Sequence, residues 1–153
     1  MNLHLKEAGI KDISTLISLE KEFSGTKLYS GMLVKWKWMN VLQWMYALSK
    51  SEIFIIELDN QAVGKVAYEM KSADHVYIKG LVIRSSFQRQ GIGREAMRII
   101  LKELEPVKKI ELVTHPENIP AIRLYESLGF HIESRIENYF GDGEPRVRMV
   151  LEK

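Results

Sequence analysis

Seven consecutive residues, Gln88-Arg89-Gln90-Gly91-Ile92-Gly93-Arg94, have the types and spacing to hold an anion. An apolar run, Leu81-Val82-Ile83, precedes them, and a helix-like pattern follows. Two glycines one residue apart let a backbone approach a ligand closely. Amides at a helix N-terminus are unpaired, and the peptide dipoles there favour negative charge, phosphate above all. Arg84, Arg89 and Arg94 add cations nearby. From 84 to 98 there are four arginines against one acid, Glu95, while the chain as a whole has 22 Lys+Arg against 20 Asp+Glu, a net charge of +2. The positive charge is therefore local. The bulk charge gives no reason to expect nucleic acid or a membrane surface as a partner.

Several phosphate binders use glycine loops. Gly91-x-Gly93-x-x-Ala96 with Glu111 twenty residues on satisfies the dinucleotide pattern. That motif needs its first glycine in the tight turn directly after the strand. Here seven residues, Arg84 to Gln90, intervene. A Walker loop fails because no Gly-Lys-Ser/Thr follows.

The elements that must position this loop follow from hydrophobic periodicity. Leu3 and Leu5 suggest a first strand. Asp12 is placed to N-cap a helix running to about Phe23. A second helix is expected over about 30–48, apolar around most of its circumference. Ile53–Ile56 and Ala62–Tyr68 flank Asp59-Asn60 as a hairpin, and Val76–Ile83 is a third strand of this group. Helix 91–105 ends at Pro106, and Ile110–Val113 is the next strand. Asn118 and Gly129 bracket a helix as N-cap and C-cap. Phe130–Tyr139 and Val147–Leu151 complete the pattern, joined through Gly141-Asp142-Gly143. The order β-α-α-β-β-β-α-β-α-β-β describes one α/β (α+β) domain over 1–153. Its mixed, mostly antiparallel sheet has a central right-handed βαβ unit and helices on both faces.

At 153 residues the chain suits one domain with a sizeable core. With no cysteine it has no disulfide, no thiolate nucleophile and no cysteine-ligated zinc. No metal is expected. The start, Met1-Asn2-Leu3-His4-Leu5-Lys6-Glu7, lacks the apolar core of a signal peptide, and no apolar run approaches the roughly 20 residues of a membrane span. A soluble cytoplasmic protein is the expectation.

Gln88-x-x-Gly91-x-Gly93 after Leu81-Val82-Ile83 resembles the acyl-CoA-binding motif of the GNAT superfamily of N-acyltransferases. A second stretch, Asn118-Ile-Pro-Ala121-Ile-Arg-Leu-Tyr125-Glu126-Ser-Leu-Gly129-Phe130, is similar to that superfamily's C-terminal helix and the strand after it. The order of elements matches as well, so the resemblance covers essentially the whole chain.

The resemblance implies acetyl-CoA as donor. Amides of Arg89, Gln90, Gly91, Ile92, Gly93 and Arg94 would hold the pyrophosphate, with Gln88 part of the same motif. Leu81, Val82 and Ile83 would offer backbone groups to the pantetheine arm, on a strand that splays from its neighbour. An amide near Val82 would stabilise the oxyanion of the tetrahedral intermediate. Asn118 would cap its helix and touch the cofactor. Tyr125 would line the cofactor site and, as general acid, protonate the departing thiolate; a phenol of pKa about 10 can plausibly share a proton with a thiol of pKa about 8.5. Arg98 reads better as a solvated surface residue.

The amine nucleophile must also lose a proton. Many family members carry Glu or His at positions that correspond to Tyr77 or Lys79. The bacterial enzymes that acetylate ribosomal protein N-termini carry a glutamate where this chain has Val113. Asn138-Tyr139-Phe140 followed by Met149 does resemble those enzymes. His75, Glu69, Asp74, Glu111 and His115 are candidate substitutes, and a water chain is equally open.

The acceptor pocket is expected from residues 24–48, the strand near Tyr77, and the last hairpin around Tyr139 and Phe140. Trp36, Tyr77 and Tyr139 are the expected substrate contacts. Met32, Trp38, Met39, Trp44 and Met45 make the region rich in aromatic and sulfur side chains. The expected reaction is direct transfer of acetyl to a primary amine, on a peptide or protein N-terminus or a small molecule. A non-catalytic acyl-CoA-binding module is the alternative. The resemblance implies a homodimer as one expected assembly state.

Overall fold

Alternating apolar residues build seven strands that form one sheet in the order β1-β2-β3-β4-β5-β7-β6. The computed structural model describes residues 2–31 and 40–153. The strands are β1 (Leu3–Glu7), β2 (Glu52–Leu58), β3 (Gln61–Ser72), β4 (His75–Ile83), β5 (Lys109–Thr114), β6 (His131–Ile136) and β7 (Arg146–Glu152). The helices are α1 (Ile13–Lys21), α2 (Val41–Lys50), α3 (Ile92–Glu103) and α4 (Ile119–Ser127). Every strand pair is antiparallel except β4 and β5, which α3 joins as the expected parallel unit. Asp59 and Asn60 both take positive φ, 51° and 67°, as a two-residue hairpin turn requires.

Two apolar layers sandwich the sheet. Ile92, Ala96, Met97 and Ile100 of α3 pack with Tyr125 of α4 against Val76, Ile78, Ile110, Leu112 and Met149. On the other face Ile13 and Leu16 of α1 and Trp44 and Ala47 of α2 pack against Ile53, Ile55, Ala67 and Val82. Trp44, expected near the acceptor pocket, is instead fully buried in this second layer, and Met45 is exposed.

Two features of β4 position the site. Ala67 pairs with Gly80 and Tyr68 with Ile78, so Lys79 is an extra, bulged residue. One inserted residue flips the side-chain alternation. Val76 and Ile78 face α3 before it, Leu81 and Ile83 after it, and Val82 turns to the α1 face. The second feature is a fork. β4 and β5 pair only at His75↔Lys109, Val76↔Ile110 and Tyr77↔Glu111, and from Ile78 onward they part.

The single helix expected over 30–48 is not present. Asn40 is extended (φ −86°, ψ 177°) and starts α2 by a capping box. Its side chain accepts from the Gln43 amide at 2.9 Å, and the Gln43 side chain accepts from the Asn40 amide at 3.0 Å. Residues 29–31 are not helical, and Met32, Trp36, Trp38 and Met39 lie outside the described residues. Asp12 does not cap α1 with its side chain either. That carboxylate accepts from the Gly9 amide at 2.9 Å and from Lys6 Nζ at 3.1 Å, closing a short 3-10 turn ahead of the helix. The strand expected to reach Tyr139 stops at Ile136, since Asn138 takes φ 50° and its side chain accepts from the Gly143 amide at 2.7 Å.

Candidate functional site

Where β4 and β5 part, a cavity of about 370 Å³ opens. Gly80, Leu81, Val82 and Ile83 form one wall, and Leu112, Val113 and Thr114 face them from β5. Beyond Tyr77 no β5 residue pairs with β4, so that edge of the strand keeps its peptide groups available for an extended ligand arm. Gln88 stands on one side of the mouth, and Asn118, Ala121 and Tyr125 of the α4 end on the other.

The glycine loop joins β4 to α3. After a 3-10 turn at 85–87, Arg89 takes φ 63° and Gly91 φ 79°, and α3 starts at Ile92. The first amide to bond back into the helix is Glu95, which donates to the Gly91 carbonyl at 3.0 Å. Among the described residues, the amides of 89–94 have no protein partner. A Cβ at Gly93 would make only ordinary contact with Leu81 and Leu124, the nearest atom at 3.4 Å. The fold's own packing therefore does not demand glycine there, which suits a loop kept clear for a ligand. Pyrophosphate fits this donor set by charge and by chemistry.

The arginines divide. Arg89 and Arg94 are exposed beside the loop. Arg84 is committed inward: Nε donates to the Ala62 carbonyl at 3.2 Å, Nη2 to Ser18 at 3.2 Å, and Nη1 meets Glu22 at 3.3 Å. Glu22 also accepts from the Ser85 amide at 2.7 Å. That amide bond depresses the Glu22 carboxyl, and although burial opposes the shift, the Arg84 contacts add to it. Arg84 thus ties α1 to the cradle instead of facing a ligand. Arg98 pairs with Glu95 one turn along α3, as a surface residue does. Gln88 donates to the Ile83 carbonyl at 2.9 Å and so shapes the turn from β4 into the loop.

Asn118 caps α4, accepting from the Ala121 amide at 3.3 Å. Tyr125 is buried, packs edge-on to Phe130 at 5.8 Å and lines the cavity. Burial pushes its phenol up, so it holds its proton throughout the neutral range.

Tyr77 and Tyr139, far apart in sequence, lie close enough to influence each other. Burial, then the neighbouring Tyr139, pushes the Tyr77 phenol up, which makes it a poor base. Both sit at the closed end of the fork, beside Glu111, and neither lines the cavity. Trp36 lies outside the described residues.

The candidate bases are placed away from the cavity or are engaged. Lys79 Nζ donates to Ser51 at 3.0 Å and meets Glu69 at 3.2 Å. Burial acts to raise Glu69, but Lys79 and Lys71 outweigh it and hold the carboxyl below its ordinary value. Asp74, His75 and Glu111 sit where β4 and β5 are still paired, with His75 3.2 Å from Glu111. His115 Nδ1 accepts from the Glu117 amide at 3.0 Å, so Nε2 carries the proton and meets Glu144 at 2.7 Å. Neither nitrogen is left over. Val113 does line the cavity. Among the described residues, no carboxylate or imidazole lines it.

The other wall is the loop after α1. Phe23, Thr26, Leu28, Tyr29, Ser30 and Gly31 cover the cavity. A Cβ at Gly31 would meet the Tyr29 phenol, so that ring would have to shift to admit one. The Gly31 Cα lies against Gly80, so two residues without side chains let the loop rest on β4. Lys27 meets Glu117 at 2.6 Å, and Arg146 reaches the loop from β7. Tyr29 and Ser30 fall within the expected acceptor range 24–48, whereas Arg146 and Glu117 lie outside every expected site. An arginine in Arg146-Val147-Arg148-Met149 reads as an exposed strand residue, and no local signal marks it as buried.

A forked sheet with a bulged strand, a run of unpaired amides after β4 and a buried tyrosine on α4 frame the cavity. The chain belongs to the Acetyltransferase (GNAT) family, whose model matches residues 17–130. It is 35% identical over 80 residues to the [ribosomal protein bS18]-alanine N-acetyltransferase of Escherichia coli K12, covering 51% of this chain and 54% of the relative. It is 30% identical over 103 residues to N-alpha-acetyltransferase 30 of Dictyostelium discoideum, covering 64% and 56%. The chain therefore spans just over half the length of these curated relatives. Its fold matches Ard1 from Thermoplasma volcanium with a TM-score of 0.83 at 18% identity, over 99% of this chain and 98% of the other. Among the described residues, no helix is long and apolar enough to cross a membrane.

Proposed function

We propose that the protein is an acetyl-CoA-dependent N-acetyltransferase whose acceptor is the α-amine of a peptide or protein. The cradle at 89–94 binds the pyrophosphate of coenzyme A, and the open edge of β4 binds its pantetheine arm. The amide near Val82 stabilises charge developing on the thioester oxygen. Tyr125, kept protonated by burial, gives its proton to the leaving thiolate. The amine attacks directly, and with no cysteine in the chain no enzyme thioester forms.

The absence of any carboxylate or imidazole from the described cavity lining carries the choice of acceptor. Without a dedicated base the amine must arrive neutral. An α-amine with pKa near 8 is about one-tenth neutral at pH 7, whereas a lysine-like amine with pKa about 10.4 is neutral in only about one molecule in 2,500. The acceptor wall agrees. From Phe23 to Ser51 the sequence has four lysines and no acid, which disfavours a polycation.

Thiol release from acetyl-CoA, measured over peptides with free N-termini, lysine-containing peptides with blocked N-termini, and spermidine, tests the proposal. The free α-amines should give the highest kcat/KM at pH 7. Preference for spermidine or for lysine would overturn the acceptor assignment. Tight coenzyme A binding without release for any amine would instead indicate a binding module.

A further inference from the structure

Arg146 is fully buried near the start of a strand, yet none of its bonds serves the sheet. Nη2 donates to the Tyr29 carbonyl at 2.8 Å and to Asp142 at 3.0 Å, Nε to the Ser30 hydroxyl at 2.7 Å, and Nη1 to the Pro145 carbonyl at 3.1 Å. The guanidinium carbon stands 5.1 Å from the centre of the Phe140 ring, within cation–π range. Phe140 in turn packs edge-on to Tyr139 at 4.7 Å. One buried cation thus grips two segments more than a hundred residues apart: the 29–31 loop that covers the cavity, and the 138–142 turn that brings Tyr139 to Tyr77.

The geometry points to Arg146 as a positioning residue that holds the cavity-covering 29–31 loop against the start of β7. This rests on the proposed function, with the acceptor bound against that loop. The planar fork is matched to the task, since it supplies several fixed donors at once, which a lysine cannot. Tyr29 and Ser30 are irregular backbone outside any strand, with the Tyr29 ring packed in the layer that holds Ala67 and Val82. Arg146 adds to that apolar contact hydrogen bonds from β7 to the Tyr29 carbonyl and the Ser30 hydroxyl. Its effect should fall on the acceptor and spare the donor, because the cradle at 89–94 hangs from β4 and α3 and shares none of these bonds.

Arg146→Lys and Ser30→Ala test this, the second leaving the cation in place. Amide hydrogen exchange over 24–31 should speed by about tenfold in Arg146→Lys and less in Ser30→Ala, with 89–94 unchanged. The acceptor KM should rise by about tenfold in Arg146→Lys, while the acetyl-CoA dissociation constant stays within about twofold. Unchanged exchange over 24–31 would overturn the clamp. Faster exchange with no change in acceptor KM, or with acceptor and acetyl-CoA affinities weakened alike, would overturn its role in positioning. Failure of the acetyltransferase reading shows separately, as no thiol release by the wild-type protein with any amine, and the exchange measurement still judges the clamp.

Discussion

The donor wall and the acceptor wall of the cavity are built by opposite means. The donor wall is local and made of backbone: the amides of 89–94, the open edge of β4 and a glycine at positive φ, all within fourteen residues of Leu81. The other wall, the 23–31 loop, is held by long-range side-chain ties: Arg146 on Tyr29 and Ser30, and Lys27 on Glu117. Peptide groups are the same in every sequence, so a backbone site binds what the fold dictates. Side-chain ties can be exchanged one at a time, so an acceptor site can change its amine while the donor site stays. Under the proposed function, donor affinity belongs to one wall and acceptor choice to the other.

Tyr125 stands where the walls meet, and its loss should give the largest effect. Tyr125→Phe removes the general acid and should lower kcat by about a hundredfold or more, with acetyl-CoA affinity nearly intact. Wild-type kcat in that variant would remove the tyrosine from the mechanism. Because burial pushes the phenol up, kcat in the wild type should show no alkaline fall below about pH 10. A fall with a midpoint near pH 8 would assign the acid to another group.

Gly91→Val should weaken acetyl-CoA binding by about tenfold, since φ 79° strains a β-branched residue and shifts the cradle amides. Its acceptor KM, measured at saturating donor, should stay near wild type. A matching loss on the acceptor side would erase the division of labour.

A smaller effect is expected from Glu22, which fastens α1 to the cradle through Ser85 and Arg84. Glu22→Gln should cost about 1 kcal/mol of stability at pH 7. The folded carboxyl lies below its ordinary value of 4.5, so its contribution is present above that pH and disappears as pH falls through the lowered folded value. Urea melts at pH 7 and pH 3 check this: the variant and wild type should differ at the first and converge toward each other at the second. An equal gap at both would mean the carboxylate's charge plays no part.

The same contrast explains what was legible in the sequence. Gln88-x-x-Gly91-x-Gly93 and Asn118…Tyr125 are local patterns, because a phosphate cradle and a helix cap each need fixed residues at fixed spacing. The succession of strands along the chain followed from alternation and turn residues. The bulge at Lys79 did not, since Val76–Ile83 is apolar on both sides of it and the flip in parity leaves no mark. The helix expected over 30–48 failed for a readable reason: Asn40-x-x-Gln43 is a capping box inside the apolar stretch. The hold of Arg146 on the loop could not be read, as its partners there, Ser30 and Tyr29, are 116 and 117 residues away.

An amide NMR titration of the labelled wild-type protein with coenzyme A tests the central claim most directly. The account predicts saturable shifts, largest at 89–94 and 81–83, with 138–146 little moved. Saturable binding that leaves 89–94 unmoved, or no binding at all, would contradict it.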